Sequence, residues 1–103
     1  MKRVRHKYGA RRTEVDGIRF DSRKEARYFR QLRMRQGTGE ILFFLRQVPF
    51  HLPGGVRYVV DFAEFHADGT VHFVDVKGME TAQFKSKKKM VEDIYSPVKI
   101  EIV

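Results

Sequence analysis

Two apolar runs, Arg57–His66 and Thr70–Val76, flank the short segment Ala67-Asp68-Gly69, and this arrangement constrains the fold more than any other feature of the chain. It predicts an antiparallel hairpin whose loop length decides everything downstream. With Asp68-Gly69 alone as the loop, Asp61 would face Val76, and Asp61 and Asp75 would point to opposite sides of the sheet. A three-residue loop instead uses a type I turn with Gly69 left-handed, and it pairs His66 with Thr70. Asp61 then stands opposite Asp75, Val59 stands opposite Lys77, and all three charged groups share a face. Glycine suits the left-handed position and Ala67 is a poor strand end, so the three-residue register is expected.

The remaining elements follow from local signals. Thr13–Phe20 reads as a small hairpin turning at Asp16-Gly17. Ser22 with Glu25 three residues on is a capping box, opening a helix that runs to about Gln36 and stops at Gly37-Thr38-Gly39. Ile41 to Arg46 is a strand, and Pro49 with Pro53-Gly54-Gly55 brackets a loop or edge segment. A second helix runs from Thr81 or Ala82 to about Tyr95, with Phe84, Val91 and Ile94 or Tyr95 on one stripe. Ser96-Pro97 ends it, and Val98–Val103 alternates as a last strand. Both faces of the central strands are apolar, with Val59, Ala63, Phe65 and Phe73 on one and Val60, Phe62, Val74 and Val76 on the other. That pattern predicts helices covering both faces. The expected class is α/β, ordered helix, three strands, helix, strand, as one domain over residues 13–103 behind a flexible basic arm, residues 1–12.

A chain of 103 residues supports one core, and 42% apolar content with nine Phe and four Tyr marks a folded protein. It contains no cysteine, which excludes a disulfide scaffold and a thiolate zinc site and fits a reducing cytoplasm. No apolar run approaches the roughly 20 residues of a membrane span. The basic N-terminus lacks the apolar stretch of a secretory signal. Net charge is +8, and its placement is uneven: residues 1–35 hold thirteen Lys/Arg against four Asp/Glu, the rest eight against nine. Localised basic surface is the footprint of a polyanion partner. The arm has no amphipathic apolar face, so nucleic acid, here DNA, is expected rather than an acidic membrane. Phosphate contacts fall to Lys2, Arg3, Arg5, Lys7, Arg11 and Arg12 of the arm, to the helical face Arg23, Arg27 and Arg30, and to Lys85, Lys87, Lys88 and Lys89. Lys87 or Lys88 interrupts the apolar stripe of the second helix, and one of them is expected to reach the cleft.

Asp61 and Asp75 lie in largely buried strands, where an unpaired charge costs several kcal/mol, by a rough general figure. A divalent cation is one compensation; salt bridges to an Arg or to Lys77 are the other. Glu25, Phe29 and Leu32 share a helix face, so Glu25 points at the sheet and needs a partner there unless it serves only as a cap. In a chain this basic, a cation held by such acids would contact a phosphodiester, which points to a small metal-dependent nuclease. The histidines His6, His51, His66 and His72 show no metal-ligand spacing and read as surface or strand positions.

These residues resemble the PD-(D/E)XK nuclease superfamily: Asp61 within Tyr58-Val-Val-Asp-Phe62, then Asp75-Val76-Lys77-Gly78, with Glu25 in Phe20-Asp-Ser-Arg-Lys-Glu25. Asp-Val-Lys-Gly followed by Thr81, Phe84 and Lys87-Lys88-Lys89 is similar to a branch of small phage-encoded endonucleases, some of them junction resolvases or nicking enzymes. No Pro precedes Asp61; Val60 stands there. The resemblance covers residues 13–103. It implies a restriction-endonuclease-like core with a mixed central sheet flanked by helices. It further implies Mg²⁺ or Mn²⁺ held by Asp61, Asp75, the Val76 carbonyl and Glu25, with Lys77 orienting the attacking water. The expected activity is an endodeoxyribonuclease for branched or nicked DNA, leaving 5′-phosphate ends, in phage recombination, repair or packaging. The expected location is the cytoplasm of a bacterial host. Alternatives are a non-catalytic nucleic-acid-binding module and an accessory subunit of a larger complex. Cutting two strands symmetrically would call for a homodimer.

Overall fold

The computed structural model describes residues 13–103; the basic arm, with Lys2, Arg3, Arg5, Lys7, Arg11 and Arg12, lies outside the described residues. The chain opens with a hairpin of β1 (Thr13–Val15) and β2 (Ile18–Phe20), whose turn residues Asp16 and Gly17 both have positive φ. Helix α1 (Arg23–Gly37) follows, then strand β3 (Ile41–Leu52), a 3-10 turn at Pro53–Gly55, and β4 (Val56–His66). β5 (Val71–Asp75), α2 (Ala82–Ile94) and β6 (Ile100–Ile102) complete the order.

The main sheet runs β3-β4-β5-β6. β3, β4 and β5 are antiparallel neighbours, and β6 returns parallel to β5 after the α2 crossover. This is a mixed α/β sheet with two helices. The expected strand at Ile41 to Arg46 is twice as long in the structure. It continues through Pro49 because β3 is an edge strand, where a missing N–H leaves no ladder bond unmade. Of the two readings for the segment at Pro49, loop or edge, the edge strand holds, and only Pro53–Gly55 turns.

The β4–β5 register is the three-residue one. Phe62 pairs with Val74 and Phe65 with Val71. The His66 N–H donates to the Thr70 carbonyl at 2.9 Å, and Gly69 has φ 90. Extending that register by one residue sets Asp61 opposite Asp75.

Two cores form, one on each side of the sheet. Ala26, Phe29 and Leu32 of α1 bury against Ile41, Phe62, Val74 and Val76, with Phe20 of the hairpin. Phe84 and Val91 of α2 bury against Phe50, Leu52, Tyr58, Val60 and Ile100. Tyr95 joins this second core, whereas Ile94 is exposed. Phe62 and Val60 thus serve opposite cores although they are two residues apart, and so do Phe44 and Val48 of β3, four residues apart. In a regular strand such residues would share a face. Both strands therefore turn over between Arg46↔Phe62 and Val48↔Val60, at Gln47 and Asp61. Gln47 has φ 53, left-handed for a residue inside a strand.

The expectation of helices covering both faces is met only by halves. α1 covers one half of one face and α2 the other half of the opposite face. Phe43, Leu45, Val59 and Val71 remain exposed beyond them. The double-sided apolar pattern reflects this changeover of faces as well as burial.

Candidate functional site

The changeover is where the charged residues meet. Asp75, at the end of β5, is fully buried. One of its oxygens accepts the Asp61 N–H at 2.8 Å and the other accepts the Tyr58 hydroxyl. Asp61 returns the exchange: its Oδ2 accepts the Val76 N–H at 2.9 Å. These reciprocal side-chain bonds replace the ladder just where β4 turns over, and they lock the two acids to each other's strands.

Glu25 arrives from the first turn of α1. Ser22 caps the helix, its hydroxyl accepting the Glu25 N–H at 3.1 Å. The Glu25 carboxylate is aimed at the sheet rather than back at the cap. Its Oε2 lies 3.5 Å from the Gln47 amide nitrogen, which also reaches Asp61 Oδ1 at 3.4 Å, and 4.0 Å from the Arg46 guanidinium. Arg46 is drawn aside by stacking over Phe20, 4.6 Å from the ring centroid.

Electrostatically the site is under-compensated. Among the described residues, no cationic nitrogen lies within 4.0 Å of Asp61 or Asp75, so the salt-bridge alternative to a metal does not hold there. Burial pushes the Glu25 carboxyl up to about 7, with the neighbouring Asp61 adding to the rise and Arg46 opposing it. Burial also raises Asp61; the Val76 N–H counteracts this, the Asp75 charge reinforces it, and Lys77 and Gln47 oppose it. Burial and the bond to Asp75 keep the Tyr58 phenol protonated well beyond its ordinary range.

Lys77 lies two residues beyond the end of β5. Its ammonium sits over the Phe84 ring of α2, 4.7 Å from the centroid, a cation–π contact rather than an ion pair with the acids. Its main chain is pinned by the Lys24 ammonium, which donates to the Lys77 carbonyl at 2.9 Å. No three Asp, Glu or His side chains form a ready-made metal cage among the described residues. Glu25, Asp61 and Asp75 are brought together, but the Gln47 amide spans the first two and Tyr58 occupies the third.

The basic residues divide. Arg23, Arg27 and Arg30 are exposed on α1. Lys88 is paired with Glu92 at 3.1 Å, and Lys87 lines a cavity with Lys77 and Arg57 whose wall includes none of the three acids. Lys89 faces a separate groove with Asp93 and Lys99, and Lys85 is exposed. No helix among the described residues is long and apolar enough to cross a membrane.

Gln47, Tyr58, Arg46 and Arg57 were not visible as site residues in the sequence. Tyr58 carries one faint signal, a phenol three residues before Asp61 with only Val59 and Val60 between them. Gln47 carries none, because nothing local marks a strand that turns over.

Fold and site together define a small α/β domain with three acids and a lysine gathered at a sheet changeover. The chain belongs to the family described as Protein of unknown function (DUF1064), whose family model matches residues 5–103. No curated protein and no solved structure matches it.

Proposed function

We propose that the chain is a metal-dependent endodeoxyribonuclease on a restriction-endonuclease-like core, acting in the cytoplasm on branched or nicked DNA. The observation that carries this reading is the uncompensated acid cluster. Buried Asp75 and half-buried Asp61 stand opposite each other with no cation within 4.0 Å among the described residues, and Glu25 is aimed at Asp61 from another element. Like charges so placed destabilise a fold unless something positive completes them. The donor set is all hard oxygen, which suits Mg²⁺ or Mn²⁺. Glu25, Asp61, Asp75 and the Val76 carbonyl would hold the ion, with the Gln47 amide giving way to it. Such an ion polarises a phosphodiester and lowers the pKa of a bound water.

The chain's own residues supply the rest. Lys77, anchored by Lys24 and Phe84, stands beside the acids as the cation available to a developing negative charge. Arg23, Arg27, Arg30, Lys85, Lys87 and the basic arm supply phosphate contacts that give affinity without reading sequence.

Incubation with supercoiled plasmid and a four-way junction in Mg²⁺ or Mn²⁺, with and without EDTA, tests the reading. Metal-dependent cleavage is expected, abolished in Asp75→Asn while binding persists and the circular dichroism spectrum is unchanged. The absence of cleavage by the native protein under both metals, at concentrations where DNA is bound, would remove it. A non-catalytic nucleic-acid-binding module gains one point from the structure, since both Asp75 oxygens already accept hydrogen bonds. Calorimetry separates the two: that module predicts no Mg²⁺ heat, and the nuclease predicts a site lost in Asp61→Asn.

A further inference from the structure

Across Tyr58 from the acids lies a cavity of about 230 Å³ that the acid chemistry does not use. Its wall brings together cations from three elements: Arg57 at the start of β4, Lys77 after β5 and Lys87 in α2. Like charges gathered around one space repel, yet none of the three has a carboxylate within 4.0 Å among the described residues. Lys77 is held at the wall by Phe84 rather than drawn off to Asp61 or Asp75. Thr81, the N-cap of the 13-residue helix α2, also lines the space, so the positive end of the helix dipole adds to the same field. Tyr58 forms the shared wall, its ring on this cavity and its hydroxyl on Asp75.

We infer that this cavity is an anion site for a backbone phosphodiester of the DNA, the one adjoining the phosphate at the acid cluster. An Arg fork with two flanking ammonium groups matches tetrahedral phosphate oxygens, and the space is large enough for one such group. The substrate strand then runs from the acid cluster past Tyr58 to the start of α2, and Lys77 lies between two successive phosphates. The identity of the phosphate as a neighbour of the cut bond rests on the proposed nuclease activity; the anion site itself does not.

Inorganic phosphate titrated into ¹⁵N-labelled protein should shift the Arg57 signal and the amides from Thr81 to Phe84, and the response should vanish in Arg57→Ala/Lys87→Ala. Fluorescence anisotropy of a labelled duplex in Ca²⁺, over a series of NaCl concentrations, gives the second readout. Each substitution should lower the slope of log affinity against log salt by about one. Lys99→Ala, in the separate groove, should leave that slope unchanged. In cleavage assays the double variant should raise KM by about tenfold or more, the affinity equivalent of at least one lost charge contact, with kcat held within a few-fold. Retention of wild-type phosphate shifts and salt slope by the double variant would overturn the site, whether or not DNA is cut. Loss of both with no cleavage by the native protein would support the anion site and refute its place beside a cut bond.

Discussion

Tyr58 and Asp75 set the chemistry of this protein at the scale of single residues. A fully buried carboxylate accepts a phenol and one backbone N–H, and no cation lies within 4.0 Å of it among the described residues. Tyr58→Phe keeps the ring against Phe84 but strips one Asp75 oxygen of its donor, which should cost about 1–3 kcal/mol in urea unfolding. An unchanged midpoint would mean that water or an ion serves that oxygen instead. Glu25 gives a pH signature. Its native carboxyl holds a proton up to about 7, whereas the unfolded chain releases it near 4.5. The folded state therefore binds the extra proton between those values. The stability it confers is complete below the lower one and falls as pH rises through the window. Urea midpoints of the metal-free protein should fall across that range, and Glu25→Gln should flatten the fall.

The elements are tied by few side chains, and each tie is specific. α2 is fastened to β6 by Glu92, which accepts the Ile100 N–H at 2.8 Å and pairs with Lys88. Glu92→Ala leaves that buried N–H without its acceptor and should destabilise by about 1–3 kcal/mol, seen as a lower urea midpoint at unchanged m-value. α1 is fastened to β4 differently. Tyr28 donates to Glu64 at 2.5 Å, and His66 lies 2.9 Å from the other Glu64 oxygen. Glu64 is 2% exposed, a buried acid that strand periodicity alone does not separate from its apolar neighbours. His66 and His72, read as surface or strand positions, pack on each other beside Glu64, and His72 reaches Glu101. The helix ends, by contrast, were legible in advance. Ser22 and Thr81 each cap through their own hydroxyl, because the capping bond spans only three residues.

At the scale of the whole molecule, the sequence by itself determined the order of elements, the loop at Ala67-Asp68-Gly69 and hence the alignment of Asp61 with Asp75. These depend on turn geometry and on period-two alternation, which act between residues close in the chain. It also placed Glu25 on the inward face of α1 and located the uneven charge. Only the tertiary structure decided that β3 runs on through Pro49, that both long strands change faces at Gln47 and Asp61, and that each helix covers half of one face. It alone brought Gln47 between Glu25 and Asp61, set Tyr58 on Asp75, and separated Lys87, beside Arg57 and Lys77, from Lys88 at Glu92. Those contacts join residues remote in sequence, and they depend on how far the sheet coils and where each helix docks. Hydrophobic periodicity records that a face is buried, but not which helix buries it.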